Sequence, residues 1–178
     1  YFNTDEQTVK IRTEYVKQID SISNVLENVA GSYEKLNLDE LQAKLDTVNK
    51  HLDFVHDNYQ GDMKKSIAFE LASYRSIRKL IPEFEKRRET IANGLTVSRE
   101  QLTSLKKALS ENATHDAVGN EINDEYLKKQ IQQEKTINAS LVKEIEFVVQ
   151  KSDSIDNRFA RHYSKAKFWC DSIAASSK

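Results

Sequence analysis

Apolar residues recur along the whole chain at the three- and four-residue steps of an α-helix, and no segment keeps the alternation of a half-buried strand. Thr4-Asp5-Glu6-Gln7 has the spacing of a capping box. From there Ile11, Tyr15, Ile19, Ile22, Leu26 and Val29 share one face as far as Gly31, which reads as a helix-ending glycine. Asn37-Leu38-Asp39-Glu40 reads as a second start, with two acids at the positive end of the helix dipole. Leu41, Leu45, Val48, Leu52, Val55 and Tyr59 then carry the face to Gly61. The pattern predicts helices over 4–30 and 37–60.

The remaining pattern is longer. A seam with 4-3 spacing runs from Met63 through Ile67, Tyr74, Ile81, Ile91 and Leu102 to Leu109. After the polar stretch Ser110–Glu121 a second seam runs from Leu127 through Ile131, Leu141, Ile145 and Ile155 to Ile173. These predict helices over 62–110 and 121–176. At ~1.5 Å per residue each seam would extend roughly 69 Å, and the short connection makes the two helices antiparallel neighbours.

Folding the seams about that connection sets Leu105 opposite Ile131, Leu95 opposite Leu141, and Ile81 opposite Ile155. Ser98 then meets Asn138, Glu70 meets Ala166, and Tyr74 meets His162 as a buried polar layer. Pro82 should kink the first long helix, and Asn93-Gly94 could end it. The apolar phase passes both without a shift, so a bent, continuous helix is expected.

The expected fold is all-α: a four-helix arrangement with a long antiparallel coiled-coil hairpin of two long helices and two shorter helices packed at its base. Residues 1–178 would form a single elongated helical domain. Residues 89–146 contain one aromatic, Tyr126, whereas 62–88 and 147–178 hold Phe69, Tyr74, Phe84, Phe147, Phe159, Tyr163, Phe168 and Trp169. That contrast predicts a thick bundle at the base and a bare two-stranded stalk over about 89–147. Charge points the same way. Residues 1–61 carry net −5, residues 62–90 net +3 and residues 158–178 net +4, so the first two helices would pair with the basic base.

Composition narrows the classes further. Four glycines and one proline are far fewer than turn-rich sheet folds use, and charged residues reach 31%. With a net charge of −1, no global field steers the chain to nucleic acid or an acidic membrane. The longest uncharged run, Thr90–Ser98, is half of what a transmembrane helix needs. Cys170 is the only cysteine, so an internal disulfide and a multi-cysteine metal site are excluded. A start at Tyr1 with so few thiols leans towards a processed or trimmed chain of a bacterial cell envelope or periplasm.

Candidate chemistry is sparse. His51 and His56 lie five apart and cannot act as i,i+4 metal ligands, and Cys170 reads as a small core residue. Neither a phosphate loop nor a nucleophile elbow is present. Two glycosylation sequons occur, at Asn112 and Asn138, the latter on a seam. One patch has binding character: Arg158, Arg161, Lys165 and Lys167 interleaved with aromatics, extended from the facing helix by Arg75, Arg78 and Lys79. The resulting expectation is a non-enzymatic interaction or scaffolding protein, without cofactor or metal, that presents its hairpin to a protein partner. A homodimer would fill the seam equally well, and an anionic membrane or nucleic acid at the basic aromatic base is the alternative.

Overall fold

A computed structural model describes residues 2–59 and 63–176, with side chains in the first helix from Thr8 onward. Five helices follow in order: α1 (Phe2–Glu34), α2 (Leu38–Asn58), α3 (Lys65–Arg78), α4 (Ile81–Ser110) and α5 (Asp124–Ser176). The protein is an all-α helical bundle, 87% helical and without a strand among the described residues. The side chains of Thr4–Gln7, and the predicted stop at Gly61, lie outside the described residues.

Helix boundaries follow local chemistry. At the start of α2, Asn37 Oδ1 accepts from the Glu40 backbone N–H at 3.1 Å while its amide donates to Glu40 Oε2 at 3.2 Å. Asn123 caps α5 in the same manner, accepting from the Tyr126 N–H at 2.9 Å. Gly31 does not end α1, which runs on to Glu34 and buries Ala30 and Tyr33. Nothing forces left-handed backbone at Gly31, so helical hydrogen bonds continue through it.

The predicted helix over 62–110 is one long bent body divided at Lys79 and Leu80 into α3 and α4. Pro82 sets that position. It sits in the first turn of α4, where a missing N–H costs nothing, and its ring conflicts with a helical carbonyl at Arg78. The Leu80 N–H bonds Ile77 O at 2.9 Å in a tighter turn, and Phe84 N–H returns to Leu80 O at 3.0 Å. At Asn93-Gly94 the helix runs unbroken.

Contacts cluster into two compact units, Tyr1–Glu34 with Glu89–Glu146 and Lys35–Arg88 with Phe147–Lys178. In the first unit α1 packs against 89–146, burying Ile19 and Leu26 together with Ile91, Leu95, Leu141 and Ile145. Arg99 grips Glu27 at 2.7 Å and Glu34 at 3.0 Å, and Lys106 pairs with Asp20 at 2.6 Å. The expected bare stalk over 89–147 is therefore covered by a third helix. The acids of α1 meet cations of α4 here, rather than those of the basic base. In the second unit α2 does pack at the base, with Leu45, Val48 and Leu52 buried alongside Tyr74, Ile77 and Ile155. Lys44 bridges Asp156 at 2.7 Å, and Arg78 bridges Asp53 at 2.8 Å.

Several contacts between the hairpin helices fall within two residues of the predicted register, whereas Tyr74–Phe159 and Glu70–His162 lie three and four residues from it. Gly94 lies against Leu141 in the first unit, while Lys165 bonds Glu70 and Arg158 bonds Ser76 in the second. A Cβ at position 94 would meet Leu141 Cδ1 at 2.9 Å, so the missing side chain lets α4 and α5 approach closely. At Gly31 a Cβ would meet nothing within 4 Å. Gly31→Ala should therefore raise stability by about 0.5–1 kcal/mol through helix propensity. Gly94→Ala should show no such gain, because Leu141 must shift. Denaturant unfolding of the two variants measures the contrast, and an equal gain in both would refute the close-packing assignment.

Candidate functional site

The seven basic residues of the predicted patch do not form one free surface. In the second unit Arg158 Nη1 donates to Ser76 Oγ at 2.9 Å, Lys165 pairs with Glu70 at 2.6 Å, Lys167 with Asp171 at 2.6 Å, and Arg78 with Asp53. Arg75, Lys79 and Arg161 are exposed. The aromatics divide likewise. Tyr74 is fully buried, and Phe159 and Tyr163 stack at 5.0 Å beside it, whereas Phe69 and Phe168 face solvent.

His162 does not partner Tyr74. Its Nδ1 lies 3.3 Å from Glu70 Oε2, and the Tyr74 hydroxyl instead meets His51 Nδ1 at 3.1 Å. His51 also stacks on Tyr163 at 5.7 Å, so it joins α2 to the aromatic core. Burial holds the His51 imidazole below its ordinary pKa, with Lys167 reinforcing and Asp171 opposing. Burial also raises the Tyr74 hydroxyl and the Cys170 thiol. Cys170 Sγ rests 3.7 Å from His51 O, a packing position in which the thiolate is disfavoured. The sequence carries one signal for His51: it lies one position before Leu52 on the flank of the α2 apolar face.

The first unit holds a different kind of site, at the connection between α4 and α5. The predicted polar stretch Ser110–Glu121 is a tightly bonded loop. Asp116 Oδ1 accepts from the backbone N–H of Val118 at 3.0 Å and of Asn120 at 2.8 Å. Its Oδ2 accepts from the Asn120 amide at 2.8 Å and the Tyr126 hydroxyl at 3.0 Å. These bonds, those of Asn120 foremost, lower the Asp116 carboxyl to a pKa of about 2. Gly119 adopts φ +88°, a conformation that favours glycine, and Ile122 N–H closes onto Thr114 O at 2.8 Å. From α1, Arg12 Nη2 donates to Ala113 O at 3.1 Å and the Tyr15 hydroxyl to Asp124 at 2.7 Å. Burial, reinforced by Asp124, pushes that hydroxyl up to about 12. Val118 stands 83% exposed at the tip, beside a cleft of about 610 Å³ lined in part by Leu105, Ala108, Ile122 and Tyr126.

Below the cleft lies a buried polar layer: Ser98, Glu134 and Asn138. The Asn138 amide donates to Glu134 O at 2.9 Å and Glu134 Oε2 at 3.2 Å, while Asn138 Oδ1 is buried without a partner. Asn138 is only 3% exposed, so the second sequon is closed to a glycan. Among the described residues no group of three His, Cys, Asp or Glu side chains is placed to hold a metal ion, and no helix is long and apolar enough to cross a membrane. No protein-family model, curated protein or solved structure matches the chain.

Glu134 yields a pH prediction. Burial raises its pKa, against the opposing bond from Asn138. The unfolded carboxyl therefore loses its proton first as pH rises, and stability falls through the folded pKa. Glu134→Gln keeps the acceptor for Asn138 and removes the buried charge. It should melt above the parent protein at pH 7.5, and the gap should close as pH falls below about 4, where Glu134 is protonated in the folded and the unfolded chain. Melting temperatures across pH test this, and a gap independent of pH would contradict it. The carboxylates with lowered pKa, such as Asp116 and Glu27, are common to both proteins and cancel in the difference.

Proposed function

We propose that the chain is a non-enzymatic helical scaffold that presents the connection between α4 and α5, residues 111–123, to a protein partner. One observation carries the reading: the carboxylate of Asp116 accepts hydrogen bonds from Val118 and Asn120 that tie down the loop, with Val118 bare to solvent at the tip. A loop already ordered loses less conformational entropy on binding, and an exposed aliphatic side chain beside a part-apolar cleft supplies area to bury. The seams of α4 and α5 are covered within the chain by α1 and α2, which supports a partner other than a second copy. The groups most able to do chemistry have structural work instead, His51 against Tyr74 and Cys170 in the core.

The test is affinity isolation with the full chain, comparing the parent with Val118→Asp and Asp116→Ala. Both substitutions are on the exposed loop and should leave the helical circular dichroism unchanged. A partner recovered by the parent protein should fall about tenfold or more with either variant, the loss expected when an interface anchor is removed. Equal recovery by all three folded proteins would exclude the loop as the binding element.

A further inference from the structure

Within the second unit, α3 and α5 line an open surface cleft of about 690 Å³ with Lys65, Phe69 and Glu70 on one side and Lys165, Phe168 and Trp169 on the other. Phe69 is 74% exposed and Phe168 60% exposed. Phe168 is braced edge-on against Trp169, with ring centroids 5.2 Å apart. A single exposed apolar side chain is ordinary on a protein surface, but two phenylalanines from different helices on one cleft make a concentrated apolar feature.

The charge around them has one sign. Glu70 is neutralised by Lys165 at 2.6 Å and faced by His162 at 3.3 Å, and Asp171 is neutralised by Lys167 at 2.6 Å. Lys65, and Arg161 one helical turn from Lys165, are exposed and enter no ion pair among the described residues. The surface is therefore apolar at its centre and basic at its margin, independent of the loop that binds the proposed protein partner.

We propose that this cleft is the docking face for an anionic lipid bilayer, with Phe69 and Phe168 entering the headgroup boundary beside Trp169, and Lys65 and Arg161 against the lipid phosphates. The shape favours a bilayer over a peptide. A peptide groove recesses its apolar floor away from solvent, whereas Phe69 and Phe168 are 74% and 60% exposed, open to a flat apolar phase. The basic margin disfavours a second copy of the same face, because like charges would meet. Interleaved lysine and aromatic side chains suit the interface, where the ring is wetted on one edge and the ammonium reaches phosphate.

Trp169 is the only tryptophan in the chain and lies in the cleft, so its fluorescence reads the event directly. The full chain is mixed at low salt with vesicles of equimolar phosphatidylglycerol and phosphatidylcholine, and separately with pure phosphatidylcholine vesicles. The anionic vesicles should shift Trp169 emission to the blue and sediment the protein about tenfold more than neutral ones, with the binding weakened by added salt. Phe69→Ser with Phe168→Ser should reduce sedimentation about tenfold, and Lys65→Glu with Arg161→Glu similarly, at unchanged helical circular dichroism. Absence of binding to anionic vesicles at low salt would overturn the proposal. So would binding that survives both double variants, or a Trp169 shift produced by polyglutamate or a DNA oligonucleotide and not by vesicles.

Discussion

A helix of 53 residues with an apolar stripe along its length cannot remain exposed, and the organisation of this protein follows from covering α5. Part of the cover comes from α3 and α4, whose own stripe runs antiparallel to it. That pairing buries a narrow seam, which is enough for a coiled coil but leaves further apolar surface on both helices. The chain supplies the rest in two pieces. α1 covers residues 89–146 and α2 packs with residues 65–88 and 147–178, giving two compact units. Ion pairs set the alignment of each added helix: Asp20 with Lys106 and Glu27 with Arg99 in one, Lys44 with Asp156 in the other. As exposed pairs they contribute little stability, but they discriminate one alignment from a slipped one.

The two units differ in how they fill their centres. The second uses a ring cluster, with Tyr74, His51, Phe159 and Tyr163 in mutual contact. The first has few rings and interrupts its aliphatic core with Ser98, Glu134 and Asn138. A buried carboxyl with an unsatisfied amide oxygen beside it is costly, and such layers serve to fix register where aliphatic residues would allow sliding. The loop beyond that layer is held by its own carboxylate at Asp116, so its form depends on local bonds rather than on the core.

Much of this was legible in the sequence because heptad phase is a strictly local record. Most seam residues of α2, α4 and α5 are buried, although Leu105, Phe159, Trp169 and Ile173 are only half-buried, and the hairpin contacts stay within about one helical turn of the predicted register, because one continuous stripe allows few alternatives. Pro82 marked the bend, and its place in the first turn of α4 explains why the break falls just before it. The position of α1 is not legible in net charge per segment, which points to the basic base. The finer signal lay in spacing: Asp20, Glu27 and Glu34 recur every seven residues, as do Arg99 and Lys106, so the two rows match when the helices run antiparallel. The pairing of His162 with Glu70 rather than Tyr74 was beyond register arguments, because it depends on which side of its helix each ring reaches. Asp116 gave no periodic signal at all, as its role rests on loop hydrogen bonds.

The central claim is that α1 covers the α4–α5 segment of its own chain. It can be tested with spin labels at Ser23→Cys and Thr103→Cys, which line one surface cleft between α1 and α4, in a Cys170→Ala background. The account predicts strong dipolar broadening that persists when labelled protein is diluted with an excess of unlabelled protein. Broadening that is absent, or that vanishes on dilution, would mean that α1 lies elsewhere or covers the hairpin of another copy.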